Sequence, residues 1–336
     1  MSIIAARAAE SERRVTEIGQ FLIDAGVPDL LGSESCIYAT GSVGRGEASE
    51  HSDLDVFILK SNPESLSQLN SYIIRAHLIQ ASRAANFPDF SGDGEWLNVY
   101  RLDEMIDYLG SRRDDWCNTF TARILMVLEG RCLVGQSTYD AALRIVIREY
   151  WRDWGHNRDN FEPAFILNDL TKYWKVLCLE YAHKTSAASR AKATEEDKAK
   201  RRLDRFKLRH SRLLICFATI VAIAYAWRKG KQTISPEDMF EIAKKRPLAR
   251  LSDIVDAERQ DPILPTLVME MIPSLLERYE NFLEETNMPK PQLRSRFLDS
   301  AFCAAKDGEA FDFTARMFRL VREVLGDTRL FQYVVM

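Results

Sequence analysis

Residues 37–59 read IYATGSVGRGEASEHSDLDVFIL and decide the fold of this chain. The apolar residues at the two ends predict a strand over Cys36–Thr40 and another over Leu54–Lys60. Between them, a Gly41-Ser42 turn opens a loop with two more glycines, which are typical of tight backbone bends. The segment therefore predicts two neighbouring strands joined by a glycine-rich connection.

Two aspartates lie two positions apart at the start of the second strand. Because successive strand residues point to opposite faces, Asp53 and Asp55 should project together while Leu54 and Val56 face a core. Carboxylates side by side repel each other unless a cation lies between them. Oxygen ligands suit Mg²⁺, which usually takes one or two carboxylates together with the phosphates of a substrate. We therefore interpret Asp53 and Asp55 as metal ligands and catalytic residues.

The Gly41-Ser42 turn has a composition that suits phosphate binding. Glycine lets backbone N–H groups approach a phosphate closely, either in a nest or at a helix N-terminus. We therefore expect Gly41 and Ser42 to bind the triphosphate of a nucleotide. A phosphate-binding turn and a metal pair so close along the chain indicate nucleotidyl transfer.

The spacing of these residues resembles the signature of the DNA-polymerase-β-type nucleotidyltransferase superfamily: Gly-Ser is followed by ten residues and then Asp-Leu-Asp-Val. The longer string GSVGRGEASEHSDLD more narrowly resembles the catalytic domain of the uridylyltransferases that modify the nitrogen-signalling protein PII, and their uncharacterised relatives. This resemblance covers about residues 35–135. It does not extend to that family's phosphohydrolase domain, since the chain has no paired His-Asp motif and five histidines in all.

The resemblance implies an α+β fold, in which a polymerase-β-like mixed-sheet domain, with helices on one side of its sheet, precedes an all-α domain. It also implies transfer of an NMP group from a nucleoside triphosphate to an acceptor, with Mg²⁺ or Mn²⁺ as cofactor and release of pyrophosphate. The narrower resemblance favours a protein acceptor, with RNA or a second nucleotide next. Two other hypotheses are a non-catalytic nucleotide sensor and a defence component that acts on tRNA or makes a nucleotide signal.

The superfamily implies a third carboxylate from a later strand. The next predicted strand, Trp96–Tyr100, contains no acid. Glu95 at its start is the first candidate for a third metal ligand and catalytic residue, followed by Asp93 and more distantly Asp89. If none of them serves, chemistry with one metal ion or loss of activity becomes the alternative.

Two further sets of residues have two interpretations each. Arg45 and Glu47 either bind phosphate and metal or form an ion pair that orders the loop. By analogy with the superfamily, Lys172 or Asn168 reaches the triphosphate. The alternative for these two residues is an amphipathic helix packed through its apolar face.

The composition suits a cytoplasmic protein with two domains. The chain has 336 residues and a net charge of −3, which gives no argument for nucleic-acid binding by the whole chain. Six scattered cysteines without a Cys-x-x-Cys pair are typical of reduced thiols, and the N-terminal residues lack a secretory signal. We expect a catalytic domain over residues 1–140 and a helical domain over residues 141–336 that closes over the nucleotide.

Apolar periodicity predicts most of the remaining elements. The predicted helices cover residues 5–25, 61–83, 103–109, 120–128, 139–154, 164–182, 201–228, 236–244, 264–286, 293–305 and 311–324. The apolar run Leu213–Trp227 is shorter than the roughly twenty residues of a membrane span, so we expect a buried core helix and no membrane partner. A lysine-rich stretch, Lys184–Lys200, is expected to form an exposed connection.

A basic segment over Arg201–Arg212 is either a solvated helix face or a surface for phosphate or RNA. Within it, Arg205 and His210 match an Arg-x4-His pattern found in helical ribonuclease domains. That pattern is so loose that chance explains it better.

Overall fold

The computed structural model describes residues 2–95, 97–186, 193–326 and 328–335. It divides the chain into two compact units, Met1–Arg152 and Asp153–Met336. The first unit contains the four-stranded sheet, and the described residues of the second unit are helices and their connections.

The sheet of the first unit is mixed. Its strands are β1 (Ser35–Thr40), β2 (Asp55–Lys60), β3 (Val99–Arg101) and β4 (Arg131–Val134), in the order β3-β2-β1-β4. β1 pairs antiparallel with β2 and with β4, whereas β2 and β3 are parallel. The α+β prediction agrees with this mixed sheet, but β4 was missed because its four residues directly follow an apolar helix.

Within its described residues, the first unit has eight helices besides this sheet. They are α1 (Ile3–Asp24), α2 (Val27–Leu31), α3 (Gly41–Gly44), α4 (Gln68–Ala84), α5 (Leu102–Asp107), α6 (Arg112–Trp116), α7 (Thr119–Glu129) and α8 (Gln136–Tyr150). A short 3₁₀ helix covers Ser91–Gly94.

Helices cover both faces of the sheet, so the expectation of helices on one side was wrong. Ile37 and Ile58 pack in one core with residues of α1 and α4. On the opposite face, Tyr38 contacts the ring of Tyr139 in α8 and donates a hydrogen bond to the carbonyl of Ala122 in α7. Every residue of β1 is buried as a result.

The helix predicted from Ser61 begins at Gln68. The Asn62 side chain accepts hydrogen bonds from the backbone of Glu64 and Ser65, which closes a turn in place of the first helical turn. Ser67 then caps α4 by accepting from the N–H of Asn70. Pro63 therefore lies in the turn, where Lys60 donates to its carbonyl.

The second unit consists of nine helices within its described residues. They are α9 (Ala164–Lys184), α10 (Glu195–Lys207), α11 (Leu213–Lys229), α12 (Pro236–Lys244), α13 (Pro247–Gln260), α14 (Thr266–Glu285), α15 (Lys290–Arg296), α16 (Ser300–Leu325) and α17 (Leu330–Val335). A short 3₁₀ helix at Trp154–His156 precedes them, and a π-helical turn (Leu208–Arg212) joins α10 to α11.

Three predictions for this unit need correction. α13 was missed, although Pro247 starts it and its apolar residues are buried. α16 is one helix that runs through Gly308, where two helices had been expected. In the expected connection at 184–200, residues 187–192 lie outside the described part, and α10 begins at Glu195 with a Thr194–Asp197 capping box.

α11 is the buried core helix that the sequence predicts. The continuous helical stretch Glu195–Lys229 is long and apolar enough to cross a membrane by length and composition alone. However, 89% of its apolar window is buried inside the protein, which is the behaviour of a core helix.

Candidate active site

Asp55 is the first residue of β2, on the face of the sheet that also carries Tyr38 and Phe57, and Asp53 lies two residues before the strand. Asp53 and Asp55 are exposed, whereas Leu54 and Val56 between and after them are buried. This alternation is the one that the sequence predicts for a strand with one polar side. Both carboxylates therefore lie at the surface where β2 begins, and their shared direction stays a prediction.

Gly41 lies directly against the Asp55 carboxylate. It follows Thr40, which pairs with Asp55 across β1 and β2. Its φ is +64°, and a Cβ placed on it would come within 2.2 Å of Asp55 Oδ2. Only glycine permits both the left-handed backbone and this close approach. The Gly-Ser turn (residues 41–44) therefore forms one wall of the aspartate site.

Ser42 is the member of the Gly-Ser turn that reaches the surface. It is half-buried, while Gly41 and residues 43–49 are buried. The N–H of Gly41 points inward and donates to Glu129 Oε1 (2.9 Å). Gly41 thus shapes the site with its backbone, and Ser42 offers the accessible hydroxyl.

Arg45 forms the ion pair that was one of its two interpretations. Its Nε donates to Glu47 Oε2 (2.7 Å) and its Nη1 donates to Glu129 Oε2 (2.8 Å). All three side chains are buried. Such an arrangement orders the loop and directs the guanidinium to protein carboxylates, so the geometry favours the structural interpretation of Arg45 and Glu47.

Helix α1 forms hydrogen bonds with the backbone of this loop at Glu47 and Ala48. Arg7 Nη1 donates to the Glu47 carbonyl (3.1 Å), and the Ala48 N–H donates to Ser11 Oγ (2.8 Å). Further along, Ser49 and Ser52 accept hydrogen bonds from nearby backbone N–H groups, as expected of turn-capping residues.

The structure does not bring Glu95 together with the aspartate pair. Within the described ranges, no group of three His, Cys, Asp or Glu side chains is placed to hold a metal ion. Glu95 lies in a turn after the 3₁₀ helix, and the side chain of Asp93 is outside the described part. Asp89 pairs with Arg83 on the surface.

The register of β3 explains this difference. Val99, the first residue of β3, pairs with Ile58, which is three residues beyond Asp55. The strand predicted from Trp96 therefore begins later than expected, and Trp96 itself is outside the described residues. As a result, β3 has no paired position next to Asp55 from which a carboxylate could project.

Lys172 and Asn168 lie in α9, in the second unit. Asn168 is exposed and Lys172 is half-buried, while Leu170 on the same helix is fully buried. Trp174 packs edge-on against Phe217. These contacts agree with an amphipathic helix, and the role of Lys172 in binding nucleotide stays a prediction.

The basic segment Arg201–Arg212 is part of the packing of the second unit. All six of its lysines and arginines are half-buried. Arg202 donates to the Phe297 carbonyl, and Arg205 pairs with Asp307. His210 is buried between the rings of Phe282 and Phe313. The Arg-x4-His pattern therefore has a structural explanation.

Glu129 is the site residue that sequence reasoning missed. It is the last residue of α7, a helix that is otherwise mostly apolar. A buried carboxylate at the end of such a helix needs a partner. That requirement was the available signal, but it did not identify Gly41 and Arg45 as the partners.

Comparison with known families assigns the part of the chain that carries this site. A family model described as a nucleotidyltransferase domain matches residues 28–93, which contain β1, α3, β2 and α4. No curated protein matches the chain. Residues 28–93 are thus similar to a nucleotidyltransferase domain, which supports a transferase role in general. The relation to the PII uridylyltransferases stays a prediction.

Proposed function

We propose that this chain is a metal-dependent nucleotidyltransferase that moves an NMP group from a nucleoside triphosphate to an acceptor. The observation that carries the proposal is the packing of Gly41 against Asp55, with Asp53 exposed two residues before β2. This geometry puts the Gly-Ser turn against one of two neighbouring exposed carboxylates, and Ser42 is the residue of the turn that reaches the surface. The family match over the same residues supports the same class of protein.

The residues of this site suit a divalent cation and a triphosphate. Asp53 and Asp55 would hold Mg²⁺ or Mn²⁺, since these ions prefer oxygen ligands such as carboxylates. When bound, such an ion neutralises phosphate charge and orients the reacting groups. The hydroxyl of Ser42 would orient the triphosphate. Attack of the acceptor on the α-phosphorus forms the new bond, and the bond to pyrophosphate breaks.

A direct test measures pyrophosphate release. The purified protein is incubated with each labelled NTP and Mg²⁺ or Mn²⁺, beside the variants Asp53→Asn and Asp55→Asn. Asp24→Asn is the matched control, because Asp24 ends α1 and its partner there is Gln20. Release that falls to background in both site variants and persists in the control is expected. Equal release from all variants would refute the assignment.

A second pair of variants tests the third carboxylate. Glu95→Gln should abolish release if Glu95 moves to the aspartates when nucleotide binds, and Asp93→Asn should do so if Asp93 serves instead. Activity that survives both changes indicates that Asp53 and Asp55 suffice. The same assay therefore decides between the candidates.

A non-catalytic nucleotide sensor is the second candidate function. The separation of Glu95 from Asp53 and Asp55 favours it, because the superfamily usually supplies a third carboxylate. A sensor would bind NTP tightly in equilibrium dialysis and release no pyrophosphate under any condition. Binding accompanied by release supports the enzyme.

We propose a protein as the acceptor, on the narrower resemblance, with RNA or a second nucleotide next. After expression, mass spectrometry of total protein, RNA and small molecules would reveal an added NMP group. A modified protein supports the first choice. Modified RNA ends or a new dinucleotide in the same extract would replace it.

A further inference from the structure

We propose that Glu129 is a positioning residue that fixes the Gly-Ser turn in the conformation that receives the nucleotide. This inference rests on the proposed function, since it concerns the same site. Glu129 lies 88 residues from Gly41 along the chain, and its two carboxylate oxygens hold both ends of the turn. One accepts from the N–H of Gly41 and the other from Arg45, the residue after the turn.

The pairing of β1 with β4 brings Glu129 to this place. Tyr38 pairs with Cys132, and Ala39 with Arg131. Continuing this antiparallel register by two residues puts Gly41 opposite Glu129. The carboxylate therefore reaches the turn because α7 ends where β4 begins beside β1.

The backbone of α7 also contacts the turn. A Cβ on Gly44 would lie 2.1 Å from the carbonyl oxygen of Glu129. The side chain of Glu129 is therefore bonded to the turn at Gly41, and its main chain leaves no room for a side chain at Gly44. With Asp55 against the other side of Gly41, a shift of the turn would also disturb the aspartate site.

Glu47 provides a matched comparison within the same cluster. Glu47 and Glu129 are both buried carboxylates that accept from Arg45, and each is 3% exposed. Of the two, Glu129 is the one that accepts from the N–H of Gly41. Replacing either by glutamine removes one negative charge beside Arg45, but only the change at Glu129 alters the bond to Gly41.

The glutamine at position 129 cannot satisfy both donors. If its oxygen accepts from Gly41, its amide N–H₂ faces the guanidinium of Arg45, and two donors then oppose each other. If the amide group is flipped so that its oxygen faces Arg45, the N–H of Gly41 loses its acceptor. Either outcome releases one end of the turn.

The first measurement detects the contact without any reaction. The chain has 15 glycines, so selective ¹⁵N-glycine labelling gives a simple amide spectrum, and Gly41→Ala assigns the Gly41 signal. A hydrogen bond to a carboxylate moves an amide proton downfield. In Glu129→Gln the Gly41 proton should move upfield, while in Glu47→Gln it should stay near its wild-type position. An unchanged Gly41 signal in Glu129→Gln would overturn the proposal.

The second measurement connects the contact to the nucleotide. Titration of NTP with Mg²⁺ should give an affinity about tenfold lower for Glu129→Gln than for Glu47→Gln, as expected from the loss of one buried charge-assisted hydrogen bond. Equal affinities, despite a shifted Gly41 signal, would show that Glu129 has only a structural role and would overturn the proposal.

The Glu129→Gln variant can fail to fold, and the wild-type protein can fail to bind NTP. If Glu129→Gln does not fold, Glu129→Asp keeps the charge beside Arg45 but withdraws the carboxylate from Gly41, and it should give the same shift and loss of affinity. If the wild-type protein binds no NTP, the proposed function fails and the proposal fails with it. The Gly41 signal still shows whether the contact exists, so the two failures are distinguishable.

Discussion

At the scale of single residues, Gly41 connects local backbone geometry to the chemistry of the site. Its positive φ lets the chain turn from β1 into α3, and its missing side chain leaves room for Asp55. Gly26 has a similar φ of +72°, but a Cβ there would meet nothing within 4 Å. A side chain at either position would strain the backbone, but only a side chain at Gly41 would also collide with a residue of the site.

We expect Gly41→Ala to abolish nucleotide-dependent pyrophosphate release, because the methyl group displaces the Asp55 carboxylate. Gly26→Ala should keep its activity. Both changes should lower the free energy of unfolding by about 1–2 kcal/mol through the left-handed backbone alone. Denaturant unfolding and the release assay measure these two effects separately. Equal activity of the two variants would show that Gly41 does not shape the site.

Arg45 illustrates why a residue type does not decide its role. An arginine near a phosphate-binding turn suits phosphate and carboxylate equally well. The structure directs its guanidinium to Glu47 and Glu129, both buried. Whether Arg45 binds phosphate or forms an ion pair is thus decided in part by Glu129, which lies far away in the sequence.

At the scale of elements, two buried polar clusters stabilise the helices. In the first unit, Arg123 of α7 donates to both carboxylate oxygens of Asp114 in α6, at 2.9 and 2.6 Å, and to the hydroxyl of Tyr150 in α8. Both members of the ion pair are almost fully buried. This cluster links three helices on the face of the sheet that carries Tyr38.

Breaking the Arg123–Asp114 pair should be costly. Asp114→Asn leaves a buried guanidinium without its countercharge, and we expect it to lower the free energy of unfolding by about 3 kcal/mol or more. The control is Asp89→Asn, which removes the exposed partner of Arg83 and should cost less than about 1 kcal/mol. Chemical denaturation of the two variants checks this, and similar losses would contradict it.

In the second unit, His210 lies in the π-helical turn, where its Nδ1 is 2.9 Å from the Phe206 carbonyl. Burial among aromatic rings lowers its pKa from 6.5 to about 4, because the charged form is poorly solvated there; the carbonyl of Phe206 opposes this shift and Lys306 adds to it. The folded protein therefore keeps His210 neutral in weak acid.

This pKa predicts a loss of stability in acid. Between about pH 6.5 and 4 the unfolded chain binds a proton at position 210 that the folded chain does not, so folding weakens as the pH falls through this window. From pH 7 to pH 5, we expect wild type to lose about 2 kcal/mol more unfolding free energy than His210→Phe. Denaturant unfolding at both pH values measures the difference, and parallel losses would exclude His210 as the cause.

At the scale of the whole molecule, the chain has two compact units that differ in secondary structure. The first has a mixed sheet with its own apolar core, and the family match lies inside it. The second is built around α11, whose side chains are almost all buried. Each unit therefore has its own source of stability.

We expect destabilisation to stay within the unit that is changed. In hydrogen–deuterium exchange of the full chain, Asp114→Asn should speed exchange within residues 1–152. At neutral pH, any change of exchange rate in His210→Phe should be confined to residues 153–336. Different cores open with different free energies, which exchange can resolve. Faster exchange throughout the chain in both variants would show that the two units unfold together.

The sequence by itself determined the strand–turn–strand segment, the alternation of exposed Asp53 and Asp55 with buried Leu54 and Val56, and the likeness of residues 28–93 to a nucleotidyltransferase domain. These features follow from local rules, since side chains alternate along a strand and glycine tolerates a positive φ. Only the tertiary structure decided the partners of Arg45, the role of Glu129, the separation of Glu95 from the aspartates and the burial of His210. Those outcomes depend on strand register and helix packing, which join residues far apart along the chain and leave no local pattern at either position.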